Sequence, residues 1–88
     1  MVHSEVKYTG KDWREVENLG WLLKHWRTAK AAFWRTKKED GWDGELTVVG
    51  QNWEYRTRWA SADLCRQWMH RPVFRGMSML WDGEQTKC

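Results

Sequence analysis

The sequence predicts a small α+β domain, a two-layer sandwich in which two helices cover one face of a mostly antiparallel sheet. Three patterns lead to this fold class: an amphipathic opening segment, three strand-like segments joined by short turns, and a capped segment that stops at Pro72. The expected order is α-β-β-β-α-β. We expect a single domain over residues 1–88, with flexible ends at about 1–7 and 82–88.

The opening helix is predicted from about Gly10 to Trp26 or Arg27. Thr9 is suited to the N-cap position, and Asp12 three residues later completes an acidic variant of the capping box. Apolar residues then recur at helical spacing on one broad side: Trp13, Val16, Leu19, Leu22, Leu23 and Trp26. That side is expected to face the sheet.

Three strands are predicted next, over Lys30–Lys37, Glu45–Val49 and Trp53–Ala60. The last is the clearest, because large or β-branched residues alternate with Glu54, Arg56 and Arg58. Asp-Gly signals and a Gly-Gln-Asn turn separate the segments. The three strands are expected to form an antiparallel meander.

A short second helix is predicted after the meander, with Ser61 as its cap and Pro72 as its stop. An extended segment from Val73 to Trp81, bent at Gly76, is expected to complete the sheet. Two positions are open to it: parallel to the third strand across the short helix, or at the opposite edge.

Tryptophan dominates the composition. The chain has nine tryptophans among 88 residues and no isoleucine, and its 41% apolar and 31% charged content is typical of a globular protein. Each indole is a large apolar body with one N–H group. With few other large side chains available, most tryptophans are expected to fill the core.

The net charge of +3 and a pI of about 9.1 permit nucleic acid as a partner without demanding it. No apolar run approaches the roughly 18 residues of a membrane span, and residues 1–5 do not resemble a signal peptide. We therefore expect a cytoplasmic protein with no membrane contact. In that compartment free thiols are favoured over a Cys65–Cys88 disulfide.

Catalytic and cofactor motifs are not found in the sequence. Cys65 and His70 are five residues apart, and no Cys-x-x-Cys or His-x-x-x-His pair is present for a metal. The glycines are dispersed as turn markers and form no phosphate-binding loop. We expect no catalytic residue, no cofactor and no metal, so that the chain is not an enzyme.

Trp21 is the tryptophan that the predicted core does not use. On the predicted helix it points away from the apolar side and lies near Arg14 and His25. An exposed tryptophan beside arginine and histidine is typical of a binding hot spot. The alternatives are a core tryptophan covered by the chain's own loops and a helix with a different rotation. Trp42, between two glycines in the acidic turn, is a second candidate anchor. The alternative, which a small core favours because it needs apolar area, is that Trp42 folds back over the sheet edge.

The leading hypothesis is a non-enzymatic binding module that acts through a protein–protein contact. The contact residues would be Trp21, Arg14, His25 and Trp42. In a variant of this hypothesis, the chain forms a homodimer through the same patch. Its general character, short and aromatic with no catalytic motif, is similar to that of accessory proteins of phages and mobile elements. The alternative is a nucleic-acid-binding sheet face, because aromatic rings and guanidinium groups on an open sheet stack bases and hold phosphates. That face would comprise Phe33, Arg35, Lys37, Arg56 and Arg58.

Overall fold

The computed structural model describes residues 1–35 and 40–76, and it confirms the α+β class. Within these two ranges, one five-stranded antiparallel sheet has the strand order β2-β1-β5-β4-β3, and three short helices accompany it. The strands are β1 Val2–Tyr8, β2 Arg14–Glu15, β3 Ala29–Arg35, β4 Gly44–Gly50 and β5 Trp53–Trp59. The helices are α1 Gly20–His25, α2 Ala62–Met69 and α3 Pro72–Gly76, and a 3₁₀ turn over Trp26–Thr28 follows α1.

The N-terminal third differs most from the prediction. Residues expected to form a flexible end make β1, which pairs with β5 along its whole length, from Val2↔Trp59 to Tyr8↔Trp53. The long opening helix is wrong over its first half, where the chain turns at Gly10 (φ 76°) and forms β2. Only Gly20–His25 is α-helical. There Arg14 and Glu15 pair with β1 instead, and this tertiary contact outweighs the local helical periodicity.

The core lies between one face of the sheet, the inner face, and the helices. Alternate residues of the strands are buried on this face: Ser4, Val6, Leu46, Val48, Trp53, Tyr55, Thr57 and Trp59. The helices complete the same cluster with Leu22, Cys65, Trp68, Val73 and Phe74. The two-layer arrangement follows, because the strands and the helices bury their side chains in this shared cluster.

Two glycines make room for two of the core tryptophans. Gly44 and Gly50 stand at the two ends of β4, and Gly44 pairs across the sheet with Trp59. A Cβ atom at Gly44 would lie 2.3 Å from the Trp59 ring, and one at Gly50 would lie 2.2 Å from the Trp53 ring. Each indole therefore occupies the space that a side chain at the glycine would need.

The C-terminal half follows the prediction as far as Pro72. Ser61 caps α2 as expected, since its hydroxyl accepts a hydrogen bond from Leu64 N–H at 3.3 Å. Pro72 then begins α3, so the extended segment predicted from Val73 is wrong as far as Gly76. Residues 77–81 of that segment, and the predicted flexible end at 82–88, lie outside the described residues.

Two further expectations concern cysteine and the membrane. Cys65 is fully buried and disulfide-bonded, so the expectation of a free thiol there is wrong, and Cys88 lies outside the described residues. Within residues 1–35 and 40–76, no helix has the length and apolarity needed to cross a membrane.

Candidate partner-binding site

An open concavity of about 510 Å³ lies where α1 meets β1 and β2, and we call it the α1 pocket. It brings together three of the four predicted anchor residues, Arg14, Trp21 and His25. Its remaining lining residues are Tyr8, Glu15, Val16, Glu17, Gly20 and Lys24. The sequence placed the three anchors on one helix, whereas the structure supplies Arg14 from the edge strand β2.

Trp21 forms part of the aromatic wall of this pocket and is half-buried. Its ring lies 4.9 Å from that of Trp53, edge to face, and nearly parallel to that of Tyr55 at 5.8 Å. The prediction that Trp21 stands apart from the core is therefore wrong, because one part of the indole packs on core residues. The rest of the indole lines the pocket, so the core fixes the orientation of the Trp21 side chain.

His25 completes the aromatic stack. Its imidazole lies 3.9 Å from the Trp21 ring with an angle of 11° between the planes. Its Nδ1 is 2.8 Å from the Trp21 carbonyl oxygen. A carbonyl can only accept, so Nδ1 carries the proton and Nε2 is left to accept from, or when protonated donate to, a bound group.

The positive charge of the pocket comes from Arg14 and Lys24. The Arg14 guanidinium lies 5.7 Å from the centre of the Tyr8 ring, a cation–π contact that holds it at the rim. Lys24 is exposed in the last turn of α1. Neither side chain makes an ion pair with any residue of the described ranges.

A buried chain of hydroxyl groups fixes the base of the site. The Tyr55 hydroxyl donates to the Asn18 carbonyl oxygen at 2.5 Å and lies 3.1 Å from Ser4 Oγ, which is 2.8 Å from Thr57 Oγ1. Because the single phenolic hydrogen goes to Asn18, the Ser4 hydroxyl is left to donate to Tyr55, and the Thr57 hydroxyl to Ser4. This chain ties the turn before α1 to β1 and β5. Burial raises the pKa of Tyr55 above its usual 10.0, an effect that the neighbouring Ser4 and Thr57 hydroxyl groups oppose.

Trp42, the fourth predicted anchor, is not part of the α1 pocket. It is half-buried, and its ring centre lies 6.1 Å from that of His3. His3 pairs across the sheet with Arg58, on the face opposite the core. The structure therefore separates Trp42 from the other three anchors.

The predicted nucleic-acid residues lie on that opposite face, which we call the outer sheet face. Strand register places Phe33 and Arg35 of β3 on it together with Arg56 and Arg58 of β5, as expected. Lys37 lies outside the described residues. No helix of the described ranges contributes to this face, because the helices pack on the inner one.

The charges of the outer sheet face are balanced. Arg56 is paired with Glu5, and Arg58 Nε is 3.0 Å from Glu45 Oε2. Trp13 covers Arg56, with its ring centre 4.2 Å from the guanidinium carbon. Among the described residues this face carries four cations and four carboxylates, namely Lys7, Arg35, Arg56 and Arg58 and Glu5, Glu15, Glu45 and Glu54. Such a face offers little net attraction to phosphate.

Sequence reasoning missed two contributors to the α1 pocket, Tyr8 and Lys24. Lys24 belongs to the acid-free basic run from Lys24 to Lys38, and that run was the only available signal for it. Among the described residues no group of three or more potential metal ligands occurs. The chain matches no protein-family profile, no curated protein and no solved structure.

Proposed function

We propose that this chain is a small non-enzymatic binding module that contacts a protein partner through the α1 pocket. The observation that carries the proposal is the convergence of Arg14, Trp21 and His25 in one open concavity. Aromatic and arginine side chains dominate the energetics of protein interfaces, and a few such residues suffice for tight binding.

Rigidity supports the same proposal. Trp21 is held by rings of β5 and by His25, and Tyr55 holds the turn that starts α1. A side chain that is already ordered loses little conformational entropy when a partner covers it. The side chains that line the pocket therefore already have the conformation needed for binding, and such preorganisation strengthens an interface.

The proposal is tested by affinity purification from the native cell with a charge-removal variant, Arg14→Ala with Lys24→Ala. Its control is Lys11→Ala with Lys30→Ala, which removes the same charge from two exposed positions outside the pocket. We expect a protein that co-purifies with the wild type and the control, survives nuclease treatment and is lost with the pocket variant. Equal recovery with both variants would rule out the pocket as the contact.

Self-association through the α1 pocket is the variant in which the partner is a second copy of the chain. Sedimentation velocity distinguishes the two cases, because a homodimer dissociates on dilution and the pocket variant would remain monomeric. The similarity in character to phage and mobile-element accessory proteins, and a cytoplasmic location, stay predictions from the sequence.

Nucleic-acid binding through the outer sheet face is the alternative function. Its residues share a face, but the pairs Arg56–Glu5 and Arg58–Glu45 weigh against it. If it were correct, the protein would be retained on a DNA or RNA column at low salt and released steeply as salt rises. The variant Arg56→Ala with Arg58→Ala would then lose retention, whereas the α1 pocket variant would keep it.

A further inference from the structure

We infer that the partner segment that fills the α1 pocket is acidic, placing a carboxylate between Arg14 and Lys24 and an apolar side chain against Trp21. This inference rests on the proposed function and adds the chemistry of the partner. It follows from the charges that line the pocket and from what would happen to them when a partner covers them.

Neither of the two carboxylates in the lining forms an ion pair with Arg14 or Lys24. Glu15 pairs across the sheet with Glu5, and its Oε1 lies 3.4 Å from His3 Nδ1, so its charge is turned toward the outer sheet face. Glu17 folds back over the start of α1, where its carboxyl group would lie 2.9 Å from a Cβ atom at Gly20. Arg14 and Lys24 are left as the unpaired charges of the pocket.

Desolvation decides which partner fits. A neutral or basic segment that covered the pocket would remove water from Arg14 and Lys24 without a counter-ion, which is strongly unfavourable. A carboxylate replaces that water with charge-assisted hydrogen bonds, and a guanidinium held at the rim presents paired donors to it. An adjacent apolar side chain would cover the accessible part of Trp21 beside Tyr8.

The test uses a displayed library of random dodecapeptides selected on the wild-type protein. We expect the selected peptides to be enriched in Asp and Glu next to an aromatic residue or leucine, relative to the starting library. The best peptide should bind Arg14→Ala with Lys24→Ala at least about tenfold more weakly than the wild type. It should bind the Lys11→Ala with Lys30→Ala control like the wild type, and its affinity should fall as salt rises.

The outcomes separate this inference from the proposed function. Selected peptides that are neutral or basic but sensitive to Arg14 and Lys24 would keep the pocket as a protein-binding site and overturn the acidic partner. Acidic peptides that bind both variants equally would overturn the inference and the site together, as would the recovery of no peptide. Thermal unfolding of each variant checks that the variant is folded, so that a weaker affinity is not caused by unfolding.

Discussion

The substitution Tyr55→Phe tests the buried hydroxyl chain beneath the α1 pocket. It removes one oxygen and keeps the ring that packs near Trp21. The Asn18 carbonyl then loses its donor, and the Ser4 hydroxyl loses a partner at 3.1 Å in a site where Ser4 is 2% exposed. Leaving buried polar groups unpaired costs about 1–3 kcal/mol. We expect a loss of stability of that size, with Tm lowered by roughly 4–8 °C for each kcal/mol in a domain of this length.

The pH dependence gives the same substitution a second signature. Burial raises the pKa of Tyr55, so the folded protein retains the phenolic proton at a pH where the unfolded chain releases it. The stability that Tyr55 contributes is therefore complete below the unfolded pKa near 10.0 and is lost as pH rises through the folded pKa. Between these two values the gap between wild type and Tyr55→Phe should narrow by about 1.4 kcal/mol per pH unit.

The assay is urea unfolding monitored by tryptophan fluorescence. It is run at neutral pH and at several pH values above the unfolded pKa of tyrosine near 10.0. The control is Tyr8→Phe, because the Tyr8 hydroxyl makes no hydrogen bond with the residues in the described ranges. An unchanged stability at neutral pH would refute the hydroxyl chain. If the stability difference between the wild type and Tyr55→Phe stays constant as pH rises above 10.0, the inference that folding raises the pKa of Tyr55 would be refuted.

Two further substitutions test the packing and the charges of the sheet. Gly44→Ala would place a methyl group 2.3 Å from the ring of Trp59, which is 2% exposed. Because this overpacks the core, we expect urea unfolding to show a free energy of unfolding lower by about 1–3 kcal/mol. A free energy equal to that of the wild type within error would contradict this packing. Arg56→Ala removes the ion pair with Glu5 and the contact with Trp13, and it should lower the free energy of unfolding by about 0.5–2 kcal/mol. The decrease should be smaller in molar salt, because salt screens the ion pair. A decrease that does not change with salt would assign the effect to packing alone.

Several elements could be predicted because their signals are local. The alternation of β5, the Ser61 cap and the stop at Pro72 each depend on residues a few positions apart. The joint placement of Phe33, Arg35, Arg56 and Arg58 on one face followed from the period of two along a strand. The structure keeps the elements that these local patterns predict, because tertiary contacts stabilise the same elements.

The candidate site was predicted only in part. Arg14 and His25 do line the same pocket as Trp21, but the predicted geometry was wrong, because the stretch assigned to one long helix contains a turn, the strand β2 and a loop. The half-burial of Trp21 depends on Trp53 and Tyr55, more than 30 positions away along the chain. Spacing within a segment contains no information on such contacts.

The sequence by itself determined the α+β class, the β3-β4-β5 meander and the residue types that line the surface. The tertiary structure alone decided that β1 lies between β5 and β2, and with it which cations are paired and which remain free in the α1 pocket. The physical reason is that β1 joins β5 by pairs such as Glu5↔Arg56. Hydrogen bonding between strands far apart in sequence and burial of their shared face order β1, where local signals predicted a flexible end, and neither effect is encoded in neighbouring residues.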